Sequence, residues 1–345
     1  MSLSLPLPLL SSSSGPAERR GFPAPARPYA LFVLFAVLLM TAGSAPVFGI
    51  DPASAAAVHA DLTYGRADDA IARLQPLTSK GSQDAEAHHL LCRVLFQEQR
   101  WEDAIDHCEQ AVRLAPANSD YHMWLGRALG EKADRASILQ AYKYGQRVRS
   151  EFEAAVNADP RNGSALADLG EFYTDAPSIV GGGLDKAEGV AARLESFDAE
   201  RAHNLRGKVA EQRKDLAGAE AQFKAGLKVA GDPATGWTVL GSFYRRQGRW
   251  DDMMQAIHSA VALDRDHGVA TEYSASLLIR TKREPQLAIQ LLRQYLESKK
   301  QSEDAPAFQV HVRLGHLLEQ QGDRQGAQRE FEAARALAQE YRGLP

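Results

Sequence analysis

Cysteine is nearly absent: the 345 residues hold two, Cys92 and Cys108. Two thiols cannot frame a disulfide-built scaffold or supply four ligands to an iron–sulfur cluster. Proline is scarce beyond the start. Seven of the 16 fall in the first 50 residues, and so sparse a remainder suits a helical body. An excess of positive charge is also missing. The formal net charge is −4, and residues 51–345 alone carry 37 basic against 43 acidic side chains. That leaves no broad electrostatic footprint for DNA or RNA, so nucleic acid is not expected as a partner. Catalytic signatures are lacking as well: there is no Gly-x-Ser-x-Gly, no His-Glu-x-x-His, no Walker sequence and no Cys-x-x-Cys-His. Gly126–Lys132 comes nearest to a Walker loop but has the wrong spacing. Gly181-Gly-Gly183 lacks the strand that should precede a phosphate cradle. The chain therefore reads as non-enzymatic, with no cofactor.

The first 50 residues form a leader of a different kind. Residues 1–29 are rich in Ser and Pro and are expected not to fold. Ala30–Met40 holds no polar group, and residues 41–50 stay uncharged. Arg19, Arg20 and Arg27 precede this run and small residues follow it, the order of a secretory signal peptide. Cleavage would follow Ala45 or Gly49; uncleaved, residues 30–50 would reach across a bilayer as an anchor. An organelle transit peptide is the remaining alternative. Under the first two readings the arginines stay in the cytoplasm and the body lies outside it, periplasmic or secreted.

The body repeats itself. His88, Leu91, Cys92, Leu95, Gln99, Trp101, Ala104, Cys108 and Ala111 share their offsets with Trp237, Leu240, Gly241, Tyr244, Gly248, Trp250, Met253, Ile257 and Ala260. Unit starts fall near residues 51, 85, 119, 163, 200, 234, 268 and 308. The eighth position is Gly126, Gly170, Gly207, Gly241 and Gly315 in five units. Glycine inside a helix costs about 1 kcal/mol against Ala, so its recurrence implies close approach of two helix backbones. The twentieth position, Ala70, Ala104, Ala187, Ala219 and Ala327, is the expected facing half of that contact.

This pattern resembles the tetratricopeptide repeat, a helix–turn–helix unit of about 34 residues. The resemblance covers residues 51–341, leaving 342–345 as a tail, and implies an all-α, right-handed solenoid of about eight units. Two units are longer than the family pattern. Extra residues around Ser137–Glu151 predict a second helix prolonged at its start, and Ala176–Asp185 predicts a loop inside the fourth unit. An extended hairpin followed by Ala-Pro-x-Ile-Val-Gly-Gly is similar to a group of bacterial secreted or envelope tetratricopeptide proteins.

In that family the first helices line a concave groove. Carried onto this chain, its inward positions include His89, Arg93 and Arg127 early, Asn204 and Lys208 in the middle, and Arg245 late. The carboxylate clamp of chaperone-tail binders is not matched, because the clamp position holds His89, Met123 and Ala167. Arg93 and Arg127, one unit apart, are the expected contact for an acidic or C-terminal peptide. Cys92 and Cys108 sit at core positions, where reduced thiols are the expectation; an oxidising compartment would permit a disulfide between them. With His88 and His107 they have the donor types of a metal site, but packing positions recur there in other units, so no metal is expected. The function that follows is a protein- or peptide-binding scaffold acting outside the cytoplasm, with a membrane contact only if residues 30–50 stay uncleaved. The rival is an envelope assembly factor that holds an unfolded client, as in cytochrome maturation or outer-membrane assembly.

Overall fold

The computed structural model describes residues 49–345. The expectations for the leader fall almost wholly on residues 1–48, outside the described residues. Sixteen α-helices and no strand occur among the described residues, and none of these helices is long and apolar enough to cross a membrane. They form eight consecutive hairpins: α1 (Pro52–Thr63) with α2 (Ala67–Leu74), α3 (Ala85–Gln97) with α4 (Trp101–Leu114), α5 (Ser119–Asp134) with α6 (Ile138–Ala158), and α7 (Gly163–Asp175) with α8 (Leu184–Leu194). There follow α9 (Ala199–Gln212) with α10 (Leu216–Val229), α11 (Pro233–Arg246) with α12 (Trp250–Leu263), α13 (Val269–Thr281) with α14 (Pro285–Glu297), and α15 (Ala307–Gln320) with α16 (Arg324–Leu337). One apolar cluster runs through all eight, from Ile50 to Tyr341, as stacked units require.

Local chemistry starts the helices. The side chains of Asp51, Asp84, Asn118, Asn162, Asp198 and Asp232 accept hydrogen bonds from backbone N–H groups of the first turn of α1, α3, α5, α7, α9 and α11. Each cap satisfies donors that the helix itself cannot. In five hairpins the turn between the two helices uses one residue in the left-handed region, Gly65, Gly248 and Gly322 in three units but Gln99 and Lys214 in two others, while the α13–α14 turn uses two, Lys282 and Glu284.

The recurring glycines act differently from the expectation. A Cβ on Gly126 would lie 2.5 Å from the Phe152 ring, and one on Gly207 would lie 2.8 Å from the Phe223 ring. What the missing side chain admits is an aromatic ring of the second helix, not a second backbone. At Gly241 the neighbours are Leu277 of the next unit, at 3.2 Å, and Ala256 of α12, at 3.4 Å. The alanines at the twentieth position are buried, as close packing demands.

Two local departures shape one end of the fourth unit. α6 has 21 residues and is prolonged at its start. The loop after α7 is a short 3-10 turn, Ser178–Val180, closed by Gly181 at φ +103°. Val180 packs on Gly145 of α6, where a Cβ would meet it at 3.3 Å.

The two ends of the solenoid meet. Tyr64 Oη donates to the Lys299 carbonyl at 3.3 Å, and Gln97 Nε2 donates to the Glu303 carbonyl at 2.9 Å. Gln309 Nε2 donates to the Gln97 carbonyl at 2.7 Å, and the Arg342 N–H donates to the Glu98 carbonyl at 3.1 Å. Asp68 accepts from the Gln339 N–H at 3.1 Å. A Cβ on Gly65 would collide with the backbone of Ala307. The last unit thus closes onto the first.

Candidate binding groove

The structure accounts for each candidate groove residue in turn. His89, on α3, is buried against the Tyr121 and Trp124 rings, with centroids 4.6 and 6.4 Å away. Burial, with the neighbouring Arg93 and His59 charges, lowers its pKa to about 3. It is a neutral packing residue rather than an exposed contact, and its Nδ1 has no hydrogen-bond partner.

Arg93 and Arg127 do come together, about the same indole. Their guanidinium carbons lie 5.3 and 4.8 Å from the Trp124 ring centroid, cation–π distances. Neither is a free cation. Arg93 pairs with Glu303, which precedes α15 at the closing seam. Arg127 pairs with Asp168 of α7, Nε to Oδ2 at 2.6 Å and Nη2 to Oδ1 at 3.3 Å. Burial raises the Asp168 pKa and the Arg127 charge opposes that rise.

Lys208, on α9, pairs with Glu171 of α7. Asn204, one turn earlier, lies against α10: a Cβ on Gly226 would approach its Oδ1 to 2.7 Å. Arg245, near the end of α11, is different. It has no ion pair among the described residues, and its Nε is buried without a hydrogen-bond partner. Burial lowers its pKa, the nearby positive charges of Arg280 and Arg246 add to that, and Glu211 opposes it. Arg246 is itself satisfied by Glu211 at 2.8 Å, and Gln247 Nε2 also donates to that carboxylate, at 2.7 Å. Arg245 and its exposed neighbour Arg280, on α13, therefore form a site where two cations make no ion pair among the described residues, the one nearby carboxylate, Glu211, being paired with Arg246.

Sequence reasoning missed Arg280, because it lies one position past the inward set of its unit. It also missed the partners of Arg93 and Arg127. Asp168 is in the next unit but off the inward positions. Glu303 is in an inter-unit linker 210 residues away, and only the chain closure brings it in.

Cys92 of α3 and Cys108 of α4 are bonded to each other, with Cα atoms 5.3 Å apart, which corrects the expectation of reduced thiols. Beside them His88 Nδ1 and His107 Nδ1 lie 2.9 Å apart and share a hydrogen bond. Burial lowers the pKa of both rings. Among the described residues no group of three or more His, Cys, Asp or Glu side chains is placed to hold a metal.

Family models described as tetratricopeptide repeat match residues 56–119, 93–142 and 237–268. These matches span about a third of the chain, and the remaining hairpins share the same helix–turn–helix form. The matched units include α3 to α5, which carry Arg93 and Arg127, and α11 with α12, which carry Arg245 and the Trp250 turn. Among solved structures, a thermophilic tetratricopeptide protein of Thermus thermophilus is 19% identical over 55% of this chain and 97% of its own, with a TM-score of 0.47. A tetratricopeptide protein of Parabacteroides merdae is 17% identical over 74% of this chain and 93% of its own, at 0.37. Yeast Tom70 is 16% identical over 79% of this chain and 55% of its own, at 0.49. No curated protein matches in sequence.

Proposed function

We propose that this tetratricopeptide protein is a non-enzymatic scaffold that binds an acidic segment of another protein through its first helices, outside the cytoplasm. The observation that carries the reading is Arg245. Arg93, Arg127 and Lys208 are all neutralised by carboxylates of this chain, whereas Arg245 makes no ion pair among the described residues, has a buried, unbonded Nε, and stands beside two cations, Arg280 and Arg246, and one carboxylate, Glu211, which is already paired with Arg246. Leaving such a donor unpaired is costly, and an incoming carboxylate would satisfy it with a charge-assisted bond. Asn204 and Lys208 would flank the bound segment. His89, Arg93 and Arg127 contribute by fixing the early part of the face.

The Cys92–Cys108 disulfide supports an oxidising compartment, where such bonds persist. The Arg–apolar–small-residue order of the leader supports export. The Ala176–Asp185 loop, similar to that of bacterial envelope proteins, supports a bacterial periplasm or cell surface. Affinity capture with cross-linking in the native envelope tests the binding. Arg245→Glu combined with Arg280→Glu should remove the captured partner while leaving the helical content unchanged. Capture that survives the double change contradicts the reading. Protease treatment of intact spheroplasts tests the compartment, and full protection of residues 51–345 by the cytoplasm would overturn export.

A further inference from the structure

A second surface lies where the two over-long units meet. The end of α5, the start of α6, the end of α7 and the Ala176–Asp185 loop enclose a cleft of ≈ 700 Å³. Its apolar lining includes Tyr142, Val148, Phe152 and Phe172. At its mouth Ile138 is 92% exposed and Ile179 is 73% exposed, and Leu139 next to it on α6 is 69% exposed. Single exposed apolar residues are ordinary, but these are contiguous with a formed apolar cleft, which marks an interaction site.

The cleft is held open by fixed elements. Lys186 Nζ donates to the Gly181 carbonyl at 2.8 Å, and the Gly183 N–H donates to the Tyr173 carbonyl at 2.8 Å. With Val180 seated on Gly145, the loop is pinned to α6, α7 and α8. A ligand entering it need not first order its walls.

The charge around the cleft is one-sided. Asp134, Asp168, Glu171 and Asp175 line it, against Arg127 alone. Arg127 is taken by Asp168 and Glu171 by Lys208, whereas Asp134 and Asp175 carry no cationic partner among the described residues. An acidic rim on an apolar cleft selects for the opposite charge. We propose that this cleft takes up an amphipathic segment of a partner protein, with apolar side chains on one face flanked by Lys or Arg. The segment's apolar face covers Ile138, Tyr142 and Ile179, and its cations meet Asp134 and Asp175. This site is separate from the Arg245 site and selects the opposite charge.

The test uses two fluorescent 18-residue helical peptides, one of Leu and Lys and one of Leu and Glu, titrated by anisotropy. The Leu/Lys peptide should bind at least about tenfold tighter, with an affinity that falls as salt rises. Ile138→Asp with Ile179→Asp should weaken it at least about tenfold, since hot-spot anchors carry most of such binding. Asp134→Asn with Asp175→Asn should weaken it and flatten the salt dependence. These side chains are at the surface, so circular dichroism should be unchanged, and the Asn pair still tests the site if the Asp pair fails to fold. Arg245→Glu with Arg280→Glu should leave this binding intact, so failure here and failure of the Arg245 site are told apart. Equal affinity for the two peptides, or affinity indifferent to both pairs of changes, overturns the proposal. So does a concentration-dependent dimer that Ile138→Asp with Ile179→Asp abolishes, which would make a second copy the occupant.

Discussion

Lys214 shows how a single residue can be held against its preference. It sits in the left-handed region at φ +66°, between α9 and α10, where other units place glycine. That conformation costs a non-glycine residue about 1–2 kcal/mol, partly offset by the greater chain freedom that glycine restores to the unfolded state. Lys214→Gly should therefore raise stability by about 0.5–1 kcal/mol in urea denaturation; a loss would mean the turn is held by contacts of the lysine. Arg127 is the opposite case, a side chain whose removal leaves a debt. Arg127→Ala strands Asp168 in a largely buried site and should cost about 1–3 kcal/mol at pH 7. The Asp168 pKa, already raised by burial, rises further without the arginine. The penalty should then shrink as pH falls and the carboxyl takes up a proton. A penalty independent of pH would place the loss in packing on Trp124. The approach of Arg93 and Arg127 to each other was legible from their matching places one unit apart. The state of Arg93 and Arg127 was not, because a residue's position in a repeat says which way it faces and nothing about which acid it meets.

At the scale of the helix pair, the period of the sequence carried most of the information. Eight hairpins, the prolonged α6 and the loop after α7 all follow from spacing and from where glycine and proline interrupt it. The role of the glycines did not follow, since a position without a side chain is equally compatible with a facing backbone and with a facing ring. The structure makes the difference measurable. Gly207→Ala meets the fully buried Phe223 ring, itself tilted against the Phe243 ring with centroids 5.2 Å apart, and should cost about 1–3 kcal/mol. Gly241→Ala meets only the end of Leu277 at 3.2 Å and should cost less. Equal losses in urea melts would contradict the assignment. The disulfide ties α3 to α4 across 16 residues. A loop of that size restrains the unfolded chain by about 3 kcal/mol. Reduction should lower stability by about that amount, with faster hydrogen exchange concentrated in α3 and α4, because each unit leans only on its neighbours.

For the whole molecule, the closing of the last unit onto the first was invisible in the sequence, because its contacts join residues more than 200 positions apart. No repeat pattern encodes where a solenoid's ends will lie. The seam buries Glu98 completely. Burial pushes its carboxyl up to about 7; Arg100 opposes this, and Asp68 and Glu340 reinforce it. The folded chain therefore holds a proton there that the unfolded chain has released between about pH 4.5 and 7. Stability from this group is greatest below that window and is lost as pH rises through it. Glu98→Gln should stabilise the protein relative to wild type by up to about 3 kcal/mol at pH 8 and by little at pH 5. The buried histidines titrate in both proteins and cancel in the difference. A gain equal at both pH values would mean Glu98 is not protonated in the seam.

The central claim is that the inner face near Arg245 receives an acidic segment, and site-specific photo-cross-linking in intact cells tests it most directly. A photoreactive phenylalanine analogue at Ser242, one turn before Arg245 on α11, is compared with one at the exposed His258 of α12. The account predicts one discrete partner cross-linked from position 242, through a peptide rich in Asp and Glu, and none from position 258. Adducts of equal yield from both positions, or a basic or uncharged peptide at position 242, would contradict it.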